Sequence, residues 1–186
     1  MATRPPDVIP ADPVVLRRYR ESDVVALVVA VNESADHLRP WMPWAARPAT
    51  VEAMRAFVAG ATADFDAGRT FGYVVRDVTK QTIVGGSGLH TRRGSGVLEI
   101  GYWVHRQWVR RGIASAAAGA LTATAFSLDG ITRVEIRCDA TNVASAGVPR
   151  RLGFTLESVV SRPPDAPGET GREMVWVATN PPGPRE

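Results

Sequence analysis

The chain of 186 residues contains one cysteine, Cys138. That excludes an intramolecular disulfide and points to a reducing compartment. No apolar stretch approaches the roughly 20 residues needed to cross a bilayer. Residues 1–13 (MATRPPDVIPADP) carry four prolines and no apolar leader segment, so a cytoplasmic location is expected. There is no long Lys/Arg run, and the formal net charge is only +3, so nothing marks a nucleic-acid surface. Two phosphate-loop fingerprints are also missing. No G-x-x-x-x-G-K-[ST] occurs, and GGSG (Gly85–Gly88) falls inside a strand pattern instead of opening a helix. His37, His90 and His105 share no metal-ligand spacing with one another or with Cys138. No metal site is expected, the histidines read as structural or surface residues, and Cys138 reads as an inert thiol in an apolar strand.

What is present fits one globular domain: 45% hydrophobic and 22% charged residues, enough apolar material for a core. Arginine dominates the basic set, which suits forked recognition of phosphate or carboxylate. Residues 1–13 are expected to be flexible, 14–178 to form the domain, and 179–186 (TNPPGPRE) to be a mobile tail. VVLRRY (Val14–Tyr19) reads as a strand, and Ser22 as the cap of a helix over DVVALVVAVN. His37–Thr50 holds three prolines with Trp41 and Trp44 and reads as a loop. Thr50 is predicted to cap a helix to about Ala67, stopped by Gly68. Strands follow at 70–77, 82–91 and 96–105, then a helix over 112–128, a strand at 132–140 and a short helix over 143–152. An antiparallel pair, 154–162 and 171–179, closes the chain. This order predicts a mixed α/β (α+β) fold. Its central, mostly antiparallel sheet has about seven strands flanked by about four helices, with parallel pairing where helix 112–128 bridges two strands.

WVRRGIASAAAGAL (Trp108–Leu121) places Arg110 and Arg111 at a helix N-terminus, an end already positive by its dipole. A strand–loop–helix junction points several free N–H groups at one spot, and a bound phosphate would turn the arginines into counter-charges. Gly112 would let the backbone approach that ligand, Ile113 would anchor the turn, and Ala114 would keep its amide accessible. An isolated Arg-Arg-Gly also reads as a plain solvated loop. Downstream, NVASAGVPRRLGF (Asn142–Phe154) has Asn142 as a helix cap and Gly153 as its stop. Capping explains both residues but leaves Ser145 without a role.

EIGYWV, RRGIASAA and NVASAGVPRRLGF, in that order, resemble the GNAT superfamily of acyl-CoA N-acetyltransferases. HLRPWMPWA resembles its RimJ/RimL branch, the ribosomal-protein N-terminal acetyltransferases and their relatives. The resemblance spans roughly residues 14–178 and implies a GNAT-like fold with acetyl-CoA as co-substrate and no metal. It places the pyrophosphate on Val109, Arg110, Arg111, Gly112, Ile113 and Ala114, with Val109 standing where the family has Gln or Arg. The pantetheine arm would run along the backbone of Tyr102, Trp103 and Val104. Asn142 would contact that arm and Ser145 would lie near the sulfur. Many members carry a tyrosine acid seven positions after that asparagine. Pro149 stands there in this chain, which leaves Ser145 as the acid. The loop of Trp41 and Trp44 would wall the acceptor pocket, against a plain reading of core packing. The acceptor implied is a primary amine, first a protein N-terminal α-amine and alternatively a small-molecule amine such as a polyamine or aminoglycoside. A non-catalytic acyl-CoA-binding sensor is the third reading. No nucleic acid or membrane partner is implied, and a homodimer is compatible with the family.

An amine attacks a thioester only when unprotonated. An α-amine with a pKa of about 7.7–8.0 needs modest help at neutral pH, whereas lysine at about 10.4 needs roughly 4 kcal/mol. Glu99, on the strand expected to carry the acyl group, is the first candidate base, directly or through water. Glu135 on the adjacent strand competes. An ordinary strand carboxylate, facing solvent or paired with an arginine, is the alternative for Glu99.

Overall fold

The computed structural model describes residues 3–179. Eight strands form one sheet: β1 (Val8–Ala11), β2 (Val14–Arg18), β3 (Thr70–Asp77), β4 (Ile83–His90), β5 (Val97–Val104), β6 (Arg133–Asp139), β7 (Thr155–Ser161) and β8 (Arg172–Thr179). Their order is β1-β2-β3-β4-β5-β6-β8-β7. Every neighbouring pair is antiparallel except β5 and β6, which run parallel. The five α-helices are α1 (Val24–Glu33), α2 (Ala35–Leu38), α3 (Val51–Asp66), α4 (Ile113–Phe126) and α5 (Val143–Arg151). Helix α4 makes the crossover between the two parallel strands, as expected.

The mixed fold is as the sequence predicts, with one more strand and one more helix. β1 arises inside the Pro-rich entry expected to be flexible. It is an edge strand, so Pro10 has no ladder partner to lose on its outer side. Its register puts Ile9 opposite Leu16 and Ala11 opposite Val14, all four buried. Residues 1, 2 and 180–186 lie outside the described residues, and Thr179, expected in the tail, ends β8. The expected loop at 37–50 is partly helical: α2 ends at Leu38, and a single 3-10 turn covers Pro43–Ala45. Ser22 does not cap α1. It sits in a 3-10 turn, and the buried Asp23 holds the turn by accepting from Arg20 N at 2.9 Å and pairing with Arg17 at 2.6 Å.

Other local signals act as expected. Thr50 Oγ1 accepts from Ala53 N at 3.1 Å to start α3, and Gly68 follows its end at φ 70°. Asn142 caps α5 by accepting from Ser145 N at 3.0 Å. Gly153, at φ 77°, closes that helix with Gly153 N to Arg150 O and Phe154 N to Pro149 O, the paired bonds of a Schellman turn. The two sheet faces bury different partners. On one, Leu16, Tyr73, Leu89, Ile100 and Ile136 pack with Ile113, Ala117, Ala118 and Leu121 of α4. The small alanines let that helix lie close to the strands. On the other, Tyr19 and Val74 pack with Val24 and Leu27 of α1 and Val58 of α3.

Candidate active site

β5 is paired with β6 only from Val97↔Arg133 to Ile100↔Ile136, yet it stays paired with β4 as far as Val104↔Gly85. Beyond Ile100 the two parallel strands diverge, and a slot opens in the middle of the sheet. His105 N donates to Val84 O at 2.8 Å. Because bonding alternates along an antiparallel ladder, Gly101 and Trp103 bond to β4 and the main-chain groups of Tyr102 and Val104 point into the slot. Of the three residues whose backbone the resemblance singles out, Tyr102 and Val104 thus have main-chain groups left unpaired by β4. The backbone of Trp103 is committed to β4, and its side chain lies on the α1–α3 face.

The slot leads to the N-terminus of α4. Gly112 stands before it at φ 77° and provides no side-chain cap. The first intrahelical bond is Ala116 N to Gly112 O at 2.9 Å, so the N–H groups of Ile113, Ala114 and Ser115 have no helical partner. Arg110 is also left-handed, at φ 61°, which folds residues 110–112 into a concave turn able to hold an anion. Ile113 is buried in the core as the anchor. Arg111 lies 4.9 Å from the Trp108 ring, and Lys80 approaches the same ring at 5.7 Å. The turn is thus basic and held by stacking. Val109 is half-buried where the 3-10 turn after β5 ends.

At the other end of the slot, the start of α5 brings three polar groups together. The Tyr102 hydroxyl donates to Ser145 O at 3.0 Å and lies 3.1 Å from Ser145 Oγ. Pro149 explains the first contact. Lacking an N–H, it cannot bond the carbonyl four residues back, which is that of Ser145, and the phenol takes the vacant acceptor. Burial raises the Tyr102 pKa and keeps the phenol protonated. The Cys138 thiol, on the open edge of β6, also contacts Ser145, and burial pushes it up to about 11, so at neutral pH it is the unreactive thiol. The Asn142 Oδ1 is used in the cap. Its NH2 group makes no hydrogen bond among the described residues and remains available to a ligand amide.

The α1–α3 face of the slot is floored by glycine. Gly72, Gly88 and Gly101 align across β3, β4 and β5. The Tyr19 ring lies along this floor, and a Cβ on Gly86 would meet its hydroxyl at 2.7 Å and Trp103 Nε1 at 2.5 Å. Neither tip has a hydrogen-bond partner among the described residues, although Tyr19 is only 7% exposed. Trp44, 52% exposed, stands edge-on to Trp103 with ring centroids 6.2 Å apart and so lies next to this face. Trp41 is half-buried just after α2. The α1–α2 region is tied to the end of β5: His105 Nε2 meets Glu33 Oε2 at 2.9 Å, and Ser34 Oγ accepts from Arg106 N at 3.1 Å. The β7–β8 connection closes the same side through Gly168 N to Pro40 O at 2.8 Å.

Both predicted base candidates are buried on this face, each in an arginine fork. Arg92 and Arg93 take both oxygens of Glu99. Burial alone would raise the Glu99 pKa, but the two guanidinium groups outweigh it and hold the carboxyl below its ordinary value. Glu135 accepts from Arg133 Nε at 2.7 Å on one oxygen and from Arg137 Nε at 2.8 Å on the other. Pairing with an arginine is one reading the sequence leaves open for Glu99, but it does not name the partners: Arg92 and Arg93 lie seven and six residues before it and reach it because the turn after β4 folds the chain back along β5. Neither the Tyr19 hydroxyl nor the Tyr102 phenol stands out in the sequence, and His90 reads there as a structural or surface residue, although strand alternation already assigns each to a face.

A family model described as an acetyltransferase (GNAT) domain matches residues 14–155. Among solved structures, Mycobacterium smegmatis RimJ in complex with CoA-disulfide is 26% identical at a TM-score of 0.84, covering 100% of this chain and 93% of that one. RimL, the ribosomal L7/L12 α-N-protein acetyltransferase, in complex with coenzyme A as a cysteine disulfide, is 24% identical at 0.83, covering 92% and 97%. The microcin C7 self-immunity acetyltransferase MccE, in complex with acetyl-CoA and AMP, is 19% identical at 0.84, covering 94% and 99%. No curated protein sequence matches the chain.

Proposed function

This chain belongs to the GNAT acetyltransferase family and is therefore an acyltransferase, and we propose that it moves the acetyl group of acetyl-CoA onto the α-amine of a protein N-terminus. The carrying observation is the slot beyond Ile100↔Ile136. It has unpaired peptide groups along one wall, an uncapped helix start at one end and a hydroxyl pair at the other. In this reading the amides of residues 113–115, with Arg110 and Arg111, hold the pyrophosphate. The Tyr102 and Val104 backbone pairs with the pantetheine amides, and the Asn142 NH2 meets a pantetheine carbonyl. The thioester then lies between the strands, where a β5 amide stabilises the oxyanion. Ser145, positioned by Tyr102, gives its proton to the departing thiolate.

The acceptor arrives over the glycine floor, bordered by Trp44, Trp103 and Tyr19. The acidic groups of this face favour a peptide over a polycation. Glu99 and Glu135 are neutralised by four arginines and leave no free negative cluster to attract a polyamine. An α-amine also needs less deprotonation than a lysine. The test is thiol release from acetyl-CoA with short peptides bearing free N-termini, compared with polyamines and aminoglycosides. Turnover with peptides is expected. Turnover with polyamines alone would overturn the acceptor, and coenzyme A binding without turnover across the panel would make the chain a sensor.

A further inference from the structure

His90 is the last residue of β4, on the α1–α3 face, opposite Glu99 of β5. Its ring leans along β5, so that a Cβ on Gly101 would meet Nε2 at 3.1 Å and Cδ2 at 3.6 Å. Gly101 is the first β5 residue beyond the last β5–β6 pair. The imidazole therefore stands at the mouth of the slot, on the face away from α4, and only a residue without a side chain lets it lie there. The ring makes no hydrogen bond among the described residues. The two carboxylates nearby have their oxygens taken by arginines.

Accepting the function above, we propose that His90 is the base that takes the proton lost by the attacking amine. The amine lone pair forms the C–N bond with the thioester carbonyl carbon, and the carbonyl π pair moves to oxygen. His90 Nε2 accepts one proton from nitrogen. When the carbonyl re-forms, the C–S bond breaks and its electron pair leaves on sulfur. The thiolate is then protonated, so that overall one proton passes from nitrogen to sulfur. The charged groups that face His90 are Arg92, in the turn just beyond β4, and Glu99 of β5; β3 presents Thr70. Burial foremost, then Arg92, hold the ring below the ordinary histidine value, against Glu99. It is therefore neutral and able to accept a proton at neutral pH.

The test compares wild type, His90→Gln, His90→Ala and Glu99→Gln with one N-terminal peptide, from pH 5 to 9. A positioned base is worth about 10²–10⁴-fold. His90→Gln is expected to lower kcat/KM at pH 7 by about 10²-fold or more while keeping the coenzyme A Kd and the Tm. Below the imidazole value, log kcat/KM in the wild type should rise with a slope of about two, one proton from the amine and one from the base, and in His90→Gln with a slope of about one. Added imidazole should restore part of the rate to His90→Ala. A wild-type kcat/KM and slope in His90→Gln would overturn the assignment, as would loss of the second proton in Glu99→Gln alone. A wild type that binds coenzyme A but acetylates nothing would instead defeat the function on which this inference rests.

Discussion

Gly112 and Gly153 make a matched pair for testing the cofactor turn. Both have φ 77°, and a Cβ on either would meet nothing within 4 Å. An alanine at either site therefore introduces left-handed strain of about 1–2 kcal/mol and no collision. The two sites differ in what holds them. Gly153 is pinned by the two Schellman bonds to Arg150 O and Pro149 O, so Gly153→Ala carries its strain in the native state. At about 2–4 °C per kcal/mol for a chain of this size, its Tm should fall by roughly 2–8 °C, with the coenzyme A Kd unchanged. Gly112 stands in an exposed turn without a side-chain cap, so Gly112→Ala can relax in the free protein by leaving the left-handed region. Relaxation swings the first α4 amides off the anion position, and binding must then restore the strained turn. Its Tm should hardly change, while the Kd weakens by about 5–30-fold, the same 1–2 kcal/mol. Calorimetric titration with coenzyme A and thermal melting read both quantities. If Gly112→Ala binds coenzyme A as tightly as Gly153→Ala does, the main-chain cradle is not the nucleotide site and the reasoning fails.

Gly86→Ala would push against Trp103 Nε1 and the Tyr19 hydroxyl. It should cost about 1–3 kcal/mol and raise the acceptor KM while leaving the coenzyme A Kd intact; an unchanged KM would remove the glycine floor from the acceptor site. Tyr102→Phe strands the Ser145 carbonyl and should destabilise by about 1–3 kcal/mol as well as slow turnover. Adding Pro149→Ala restores a backbone donor to that carbonyl, so melting should recover and kcat should not. Asp139 is buried, and burial alone would raise its carboxyl. Hydrogen bonds from Thr141 and Thr170 lower it instead, and Gly171 N also donates to it at 3.0 Å. A depressed folded pKa gives stability that is complete above the unfolded value of about 3.9 and is lost as pH falls toward the folded one. The stability gap between wild type and Asp139→Asn, read by urea melts from pH 7 to 3, should be widest at neutral pH and narrow below about pH 4; a gap constant with pH would contradict the assignment.

The elements whose boundaries come from local chemistry were legible in the sequence. The caps at Thr50 and Asn142, the stops at Gly68 and Gly153, and the strand–turn–helix at residues 105–113 depend on residues within a few positions of one another. β1 was not, because Pro10 reads as a breaker when the strand's place at an edge is unknown. The arginine clamps on Glu99 and Glu135 were only partly legible: arginine pairing was one open reading for Glu99, and none was offered for Glu135. Their spacing marks two strand carboxylates, but whether a carboxylate is a free base or a clamped ion depends on which arginines the turns return to it. The contact between Tyr102 and Ser145 was half legible. Ser145 stood out because capping left it unexplained, whereas Tyr102 was noticed only for its backbone.

Pro149 shows why that half was missed. Inside a helix a proline costs about 3 kcal/mol, through its missing donor and its ring's clash with the preceding turn. In α5 the missing donor falls on Ser145, the residue next to the slot, and Tyr102 reaches that carbonyl from a different element. The phenol supplies the bond the helix lacks and, in doing so, is fixed 3.1 Å from the Ser145 hydroxyl. A residue that looks from the sequence like the loss of an acid is thus the cause of a hydroxyl pair at the same end of the slot. Tyr102 and Pro149 must be coupled energetically, because removing the phenol matters to the helix only while residue 149 cannot donate.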